Sequence, residues 1–196
     1  MLYYCPTTTL LLTCHPLTGC PAVHQVAVAL GWPQDGVLAL TYTLIGDCTR
    51  LRIPPLQPQA QGDGLWQHTC FEAFIAAKDS PAYWEFNFSP SSEWAVYHFR
   101  GYRDRAPDGD IDTVPEVIVS QTEDHLQLDT CICLPPLFMR QSLRLALSTV
   151  IEDENGKLSY WALKHPPGKP DFHHPNAFTL ELVPPPKRED TRKDVQ

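Results

Sequence analysis

The chain has 196 residues, 43% of them hydrophobic, and a formal net charge of −8. That apolar content supports one packed core and excludes a disordered chain, while the acidic balance lacks the basic footprint that phosphate neutralisation requires, so no nucleic-acid partner is expected. No run approaches the ~20 apolar residues needed to span a bilayer, so no membrane partner is expected.

The first residues are threonine-rich and lack a basic n-region, which makes a poor signal peptide and leaves a cytoplasmic location as the default expectation. Residues 7–13 predict a first strand, and 14–21, with Pro, Gly and His, a loop. Val23 to Leu30 and Val37 to Ile45 predict two strands around a Gly31–Gly36 turn. Residues 46–64 form a long proline- and glutamine-rich connection that leads into Trp66. Strands follow at 68–77, 83–89 and 94–100.

The next segment, 103–113, is turn-rich and carries four aspartates. These residues do not match a helix-loop-helix calcium pattern and read as a solvated loop. Val117 to Thr122 and His125 to Cys133 predict a hairpin. The alternation Leu143, Leu145, Leu147, Thr149 favours a strand over a helix. Asn155-Gly156 marks a turn into a strand at 158–163. A second long loop, 164–175, precedes a last strand carrying Phe178, Leu180 and Leu182.

Residues 1–183 therefore read as a single domain, and 184–196, almost devoid of apolar residues, as a disordered tail. The twenty prolines fall mostly between strands, where a residue without an N–H does no harm. Seven cysteines are present. None lies in a C-x-x-C pair, so free thiols and no metal site are expected. About ten strands and no amphipathic helix predict an all-β fold, a two-sheet antiparallel β-sandwich of jelly-roll type.

Side chains alternate between the faces of a strand. In the central three strands this predicts that Phe71, Ile75, Trp84, Phe86, Phe88, Tyr97 and Phe99 converge on the core. The opposite face would then carry Trp66, His68, Glu72, Glu85, Asn87, Trp94, His98 and Arg100. Tryptophans ringed by hydrogen-bonding side chains suit a sugar, whose C–H face stacks while its hydroxyls need donors and acceptors. The same residues also fit a plain sheet face in which Glu72 or Glu85 pairs with Arg100.

The runs Leu65-Trp66-Gln67-His68-Thr69-Cys70-Phe71-Glu72 and Glu85-Phe86-Asn87-Phe88-Ser89-Pro90 resemble the core motifs of DOMON-like domains, a group that includes the family 9 carbohydrate-binding modules. The run from Asp171 to Phe178 resembles their closing loop before the last strand. The resemblance implies a non-enzymatic module for a carbohydrate or similar small polar ligand. It transfers ligand contacts to Trp66 and Glu72 first, then to Phe172 and His174. No cofactor is required by that reading. Other members of the group imply haem held by Met and His, for which Met139 is the internal methionine, and calcium is a further cofactor the group admits. An enzymatic alternative assigns acid and base roles to Glu72 and Glu85, joined by His98. His165, His173 and His174 share one loop and read as unliganded surface histidines.

Overall fold

The computed structural model describes residues 8–107 and 114–185. Among these described residues twelve strands, all antiparallel, form two layers. In chain order they are β1 (Thr8–Cys14), β2 (Val23–Gln34), β3 (Val37–Gly46), β4 (Cys70–Ala77), β5 (Tyr83–Phe88) and β6 (Trp94–Gly101). Then come β7 (Asp104–Arg105), β8 (Glu116–Gln121), β9 (His125–Cys133), β10 (Leu143–Glu152), β11 (Leu158–Ala162) and β12 (Leu180–Leu182).

The first sheet runs β1-β2-β3-β9-β8, and the second runs β7-β6-β5-β4-β10-β11. The first strand belongs to both. Thr8 to Leu12 pair with β2, and Thr13 and Cys14 pair with β11. Strand β10 is central to the second sheet. One edge pairs with β4, and the other is divided between β12 at Leu143–Leu145 and β11 at Ser148–Glu152.

The layers close on one large core. Val26, Val28, Leu40, Tyr42, Leu44, Leu126 and Leu128 come from the first sheet; Phe71, Ile75, Phe86, Phe88, Leu145 and Leu147 come from the second. Tyr42 crosses the interface: its ring lies 5.1 Å from that of Phe71, and its hydroxyl donates to the Glu72 carbonyl at 2.7 Å. A buried O–H must find a partner, so this bond ties the two layers at a defined register.

The β-sandwich expected from the strand spacing is the fold observed. Local departures have local causes. Strand β2 runs on to Gln34 with an irregularity between Gly31 and Gln34, and the turn shrinks to Asp35-Gly36. Pro33 cannot donate to a ladder, and the bulge accommodates it; Gly36 takes the positive φ (77°) that the turn needs. The expected last strand shortens to Leu180–Leu182, because the chain from Pro175 to Ala177 makes a 3-10 turn instead. The long connection after β3 is not free. Gln61 bridges Trp94, and the Gly62 amide donates to the Trp94 carbonyl at 2.9 Å. Among the described cysteines, Cys14, Cys20, Cys48, Cys70 and Cys131 are free thiols. The expected disordered tail from residue 186 onward and the aspartates at 108, 110 and 112 lie outside the described residues.

Candidate functional site

The second sheet has a smaller, separate apolar cluster on its outer face, away from the sandwich core. Phe74, Tyr83, Tyr97, Phe99, Ala146 and Val150 supply its floor, and the loop before β12 covers part of it with Phe172 and Ala177. Between floor and loop lies a cavity of about 370 Å³, within the range usual for small-ligand sites.

The ladder explains which side chains meet there. Across β10, β4, β5 and β6, Ser148 faces Glu72, Glu72 faces Asn87, and Asn87 faces Ala95. One step along, Phe74 faces Glu85, and Glu85 faces Tyr97. Residues directly opposite on neighbouring strands share a face, so Glu72, Glu85 and Asn87 are brought together as expected. All three are buried.

Strand β6 enters with the other phase from that expected. Trp94 faces Phe88, Val96 faces Phe86, and His98 faces Trp84. Trp94, His98 and Arg100 therefore lie on the sandwich side, and Tyr97 and Phe99 on the cavity side. The His98 ring stacks on Trp84 at 4.0 Å, and Arg100 pairs with Asp104 at 2.7 Å. The structure thus places these three away from Glu72 and Glu85, and His98 cannot join those carboxyls as a catalytic group. Both faces of β6 carry aromatic or branched residues, so alternation alone could not choose its phase. The five residues joining it to β5 did.

The remaining expected site residues divide. Trp66 sits in a 3-10 turn, Leu65–Gln67, that Gly64 enters with a φ of 68°. It is 50% exposed at the edge of the cavity. Its loop is pinned from below, because the Tyr97 hydroxyl donates to Asp63 and accepts from the Gly64 amide at 3.3 Å. His68 does not line the cavity. Its Nδ1 meets Glu152 Oε2 at 2.7 Å, and Arg52 meets Oε1 of the same carboxylate at 2.8 Å. These two hydrogen bonds hold the Glu152 carboxyl below its usual range, overcoming the opposing effect of burial. Phe172 lines the cavity; His174 does not, and instead its Nδ1 accepts from the Asn176 amide at 3.1 Å as a cap.

Several cavity residues escaped the sequence reading. Phe74 is two residues beyond Glu72, and Tyr160 alternates with Leu158 on β11, so strand period could have found both. Arg103 and Arg105 sit in a charged turn with no periodic signal. His173 reaches in from the closing loop. Its Nδ1 shares a hydrogen bond with the Tyr83 hydroxyl at 2.8 Å, and its Nε2 is 3.7 Å from Glu85 Oε2.

Burial dominates the electrostatics of the floor. It drives the Glu72 carboxyl well above the ordinary carboxylate range, and the neighbouring Glu85 charge adds to the rise, against one bond from Ser148. Glu85 is raised to about 7, again by burial, although the Asn87 amide donates to its Oε1 at 2.8 Å and Arg103 and Arg105 oppose the rise. His173 is lowered to about 4, by burial and then by the Arg103 charge. The His173–Glu85 contact is therefore a meeting of two neutral groups at mildly acidic pH, not an ion pair. Glu72 Oε1 is buried without a hydrogen-bond partner among the described residues.

A neutral carboxyl both donates and accepts, so the floor offers paired hydrogen bonds to hydroxyls. Around it, Trp66, Tyr97, Tyr160 and Phe172 offer aromatic surfaces. At the mouth, Arg105 lies over the Tyr97 ring at 4.2 Å, and Arg103 is held by Asp171 at 2.8 Å. Met139 is remote from all of this. It lines a different cavity with Asp35, Gly36, Leu134 and Leu137, a lining that contains no histidine. Among the described residues no group of three or more His, Cys, Asp or Glu converges as a metal cage.

The fold is an antiparallel β-sandwich that also occurs in solved structures described as carbohydrate-binding. The chain is similar to a candidate carbohydrate-binding protein from Bacteroides uniformis, with a TM-score of 0.56 and 12% identity over 79% of this chain and 76% of that one. It is also similar to a family 9 carbohydrate-binding module from Caldicellulosiruptor kristjanssonii, solved in complex with glucose. There the TM-score is 0.50 at 13% identity, over 87% of this chain and 81% of that one. At these identities the likeness is one of fold. No family model and no curated protein matches the chain.

Proposed function

We propose that the protein is a non-enzymatic binding module and that its outer-face cavity takes a carbohydrate. The observation that carries this reading is the composition of that one cavity. Half-exposed Trp66 stands at the edge of a floor whose polar groups are the buried carboxyls of Glu72 and Glu85. A sugar ring needs an apolar surface for its C–H face and donor–acceptor groups for its hydroxyls, and this cavity has both. Glu72 Oε1, unpartnered among the described residues, is where a ligand hydroxyl or a water would relieve the cost of burying a polar atom. The likeness in fold to carbohydrate-binding proteins, one of them solved with glucose, supports the same reading.

The test is titration calorimetry of the purified protein with glucose, cellotriose and a panel of other neutral glycans, followed by tryptophan fluorescence. At least one glycan should bind. Trp66→Ala should weaken it by about tenfold or more, the loss typical when an interface tryptophan is truncated. Binding by no member of the panel, or equal binding by the variant, would exclude the proposal.

A further inference from the structure

A second cavity lies on the same outer face, on the far side of His173, which lines both. Its volume is about 240 Å³, below the ~300–1,000 Å³ usual for drug-sized ligands, so its occupant is limited to one ring and a substituent or two. Tyr102, Phe178 and Pro175 make apolar walls, and Arg144 is the charged residue of the lining.

Arg144 differs from the other arginines whose side chains are described. Arg50, Arg52, Arg100 and Arg103 each meet a carboxylate within 3.0 Å, and Arg105 lies on the Tyr97 ring. Arg144 faces Glu181 across β10 and β12, but that carboxylate is taken by Lys78 at 3.0 Å. What Arg144 has instead is one long bond, Nη2 to the Ser80 carbonyl at 3.3 Å, and the face of Phe178 at 6.0 Å. Its Nε is buried with no partner among the described residues. A guanidinium stays charged at every accessible pH and presents a fork that matches a carboxylate. His173, on the shared wall, is neutral at pH 7, so the cavity's positive charge is that of Arg144.

We propose that this second cavity binds the carboxylate of a small ring-bearing acid, anchored by Arg144, with the ring against Phe178 and Tyr102. The site is separate from the carbohydrate cavity but shares His173 with it. An acid in one and a sugar in the other would touch opposite sides of the His173 side chain.

The test uses the full chain at pH 7, with benzoate as probe and benzamide as its uncharged isostere, each titrated while side-chain resonances are followed by NMR. Benzoate should bind at least about tenfold more tightly than benzamide, the difference a charge-assisted bond makes. It should shift Tyr102 and Phe178 and leave Trp66 unmoved. Arg144→Gln should abolish the preference, and Arg144→Lys should keep part of it. Equal affinity for the two probes, no binding of either, or shifts centred on Trp66 would overturn the proposal. So would an Arg144→Gln variant that keeps the preference. If that variant does not fold, the selectivity and the location of the shifts in the unmodified protein decide the matter alone.

Discussion

Glu85→Gln should make the protein more stable at neutral and higher pH, by an amount that the burial of this carboxyl sets. In the folded protein Glu85 is raised from 4.5 to about 7. The folded state therefore holds a proton that the unfolded chain gives up. Its contribution is fully present below pH 4.5, declines as pH rises, and is lost once pH passes about 7. A rise of that size corresponds to roughly 3–4 kcal/mol, or about 7–14 °C in melting temperature for a chain of this length. Glutamine keeps the shape, and its carbonyl still accepts from Asn87, but it has no proton to lose. His173 acts in the opposite sense. Lowered to about 4, it is stabilising above the unfolded pKa and costs stability as pH falls through about 4, so the two groups partly cancel in the unmodified protein. Thermal melts of both proteins from pH 4 to pH 8 separate them, because the His173 effect is common to both. The melting-temperature difference should move in favour of the variant between pH 4.5 and 7 and level off above. A difference that is flat with pH, or that moves toward the unmodified protein, would refute the reasoning.

Three further outcomes follow from the packing. Tyr42→Phe removes the bond to the Glu72 carbonyl across the sandwich and should cost about 1–2 kcal/mol in urea unfolding, with no change in the slope. Phe71→Ala, at a fully buried position of the main core, should cost about 3–5 kcal/mol by the same measurement. Gly46→Ala would set a Cβ 2.2 Å from the Ala22 carbonyl oxygen and 2.9 Å from the Val23 Cα. Backbone atoms cannot step aside as a flexible side chain can, so melting should show a loss of about 1–3 kcal/mol or more.

The strands themselves were legible in the sequence. Hairpin β8–β9 and strands β3, β10 and β11 fall where alternation and turn residues place them, because period two and Asp-Gly or Asn-Gly turns are local properties. The pairing of Glu72, Glu85 and Asn87 on one face was also legible, since β4 and β5 each show one clearly apolar set. Strand β6 shows the limit. Trp94 and Val96 alternate with Tyr97 and Phe99, both sets are apolar enough to be buried, and only the register with β5 decides which set lines the cavity. Residues beyond the strands were set by contacts distant in sequence. His173 meets Tyr83 and Glu85. Phe172 covers a floor made in part by Phe74, Tyr83 and Tyr97 of strands much earlier in the chain. Arg144 lacks a carboxylate because Lys78 holds the one opposite. The sequence by itself determined that this chain would form two antiparallel layers with an aromatic, acid-bearing outer face. The tertiary structure alone decided which side chains share a cavity there, because that depends on strand phase and on loops folding back, neither of which is encoded in any single stretch of the chain.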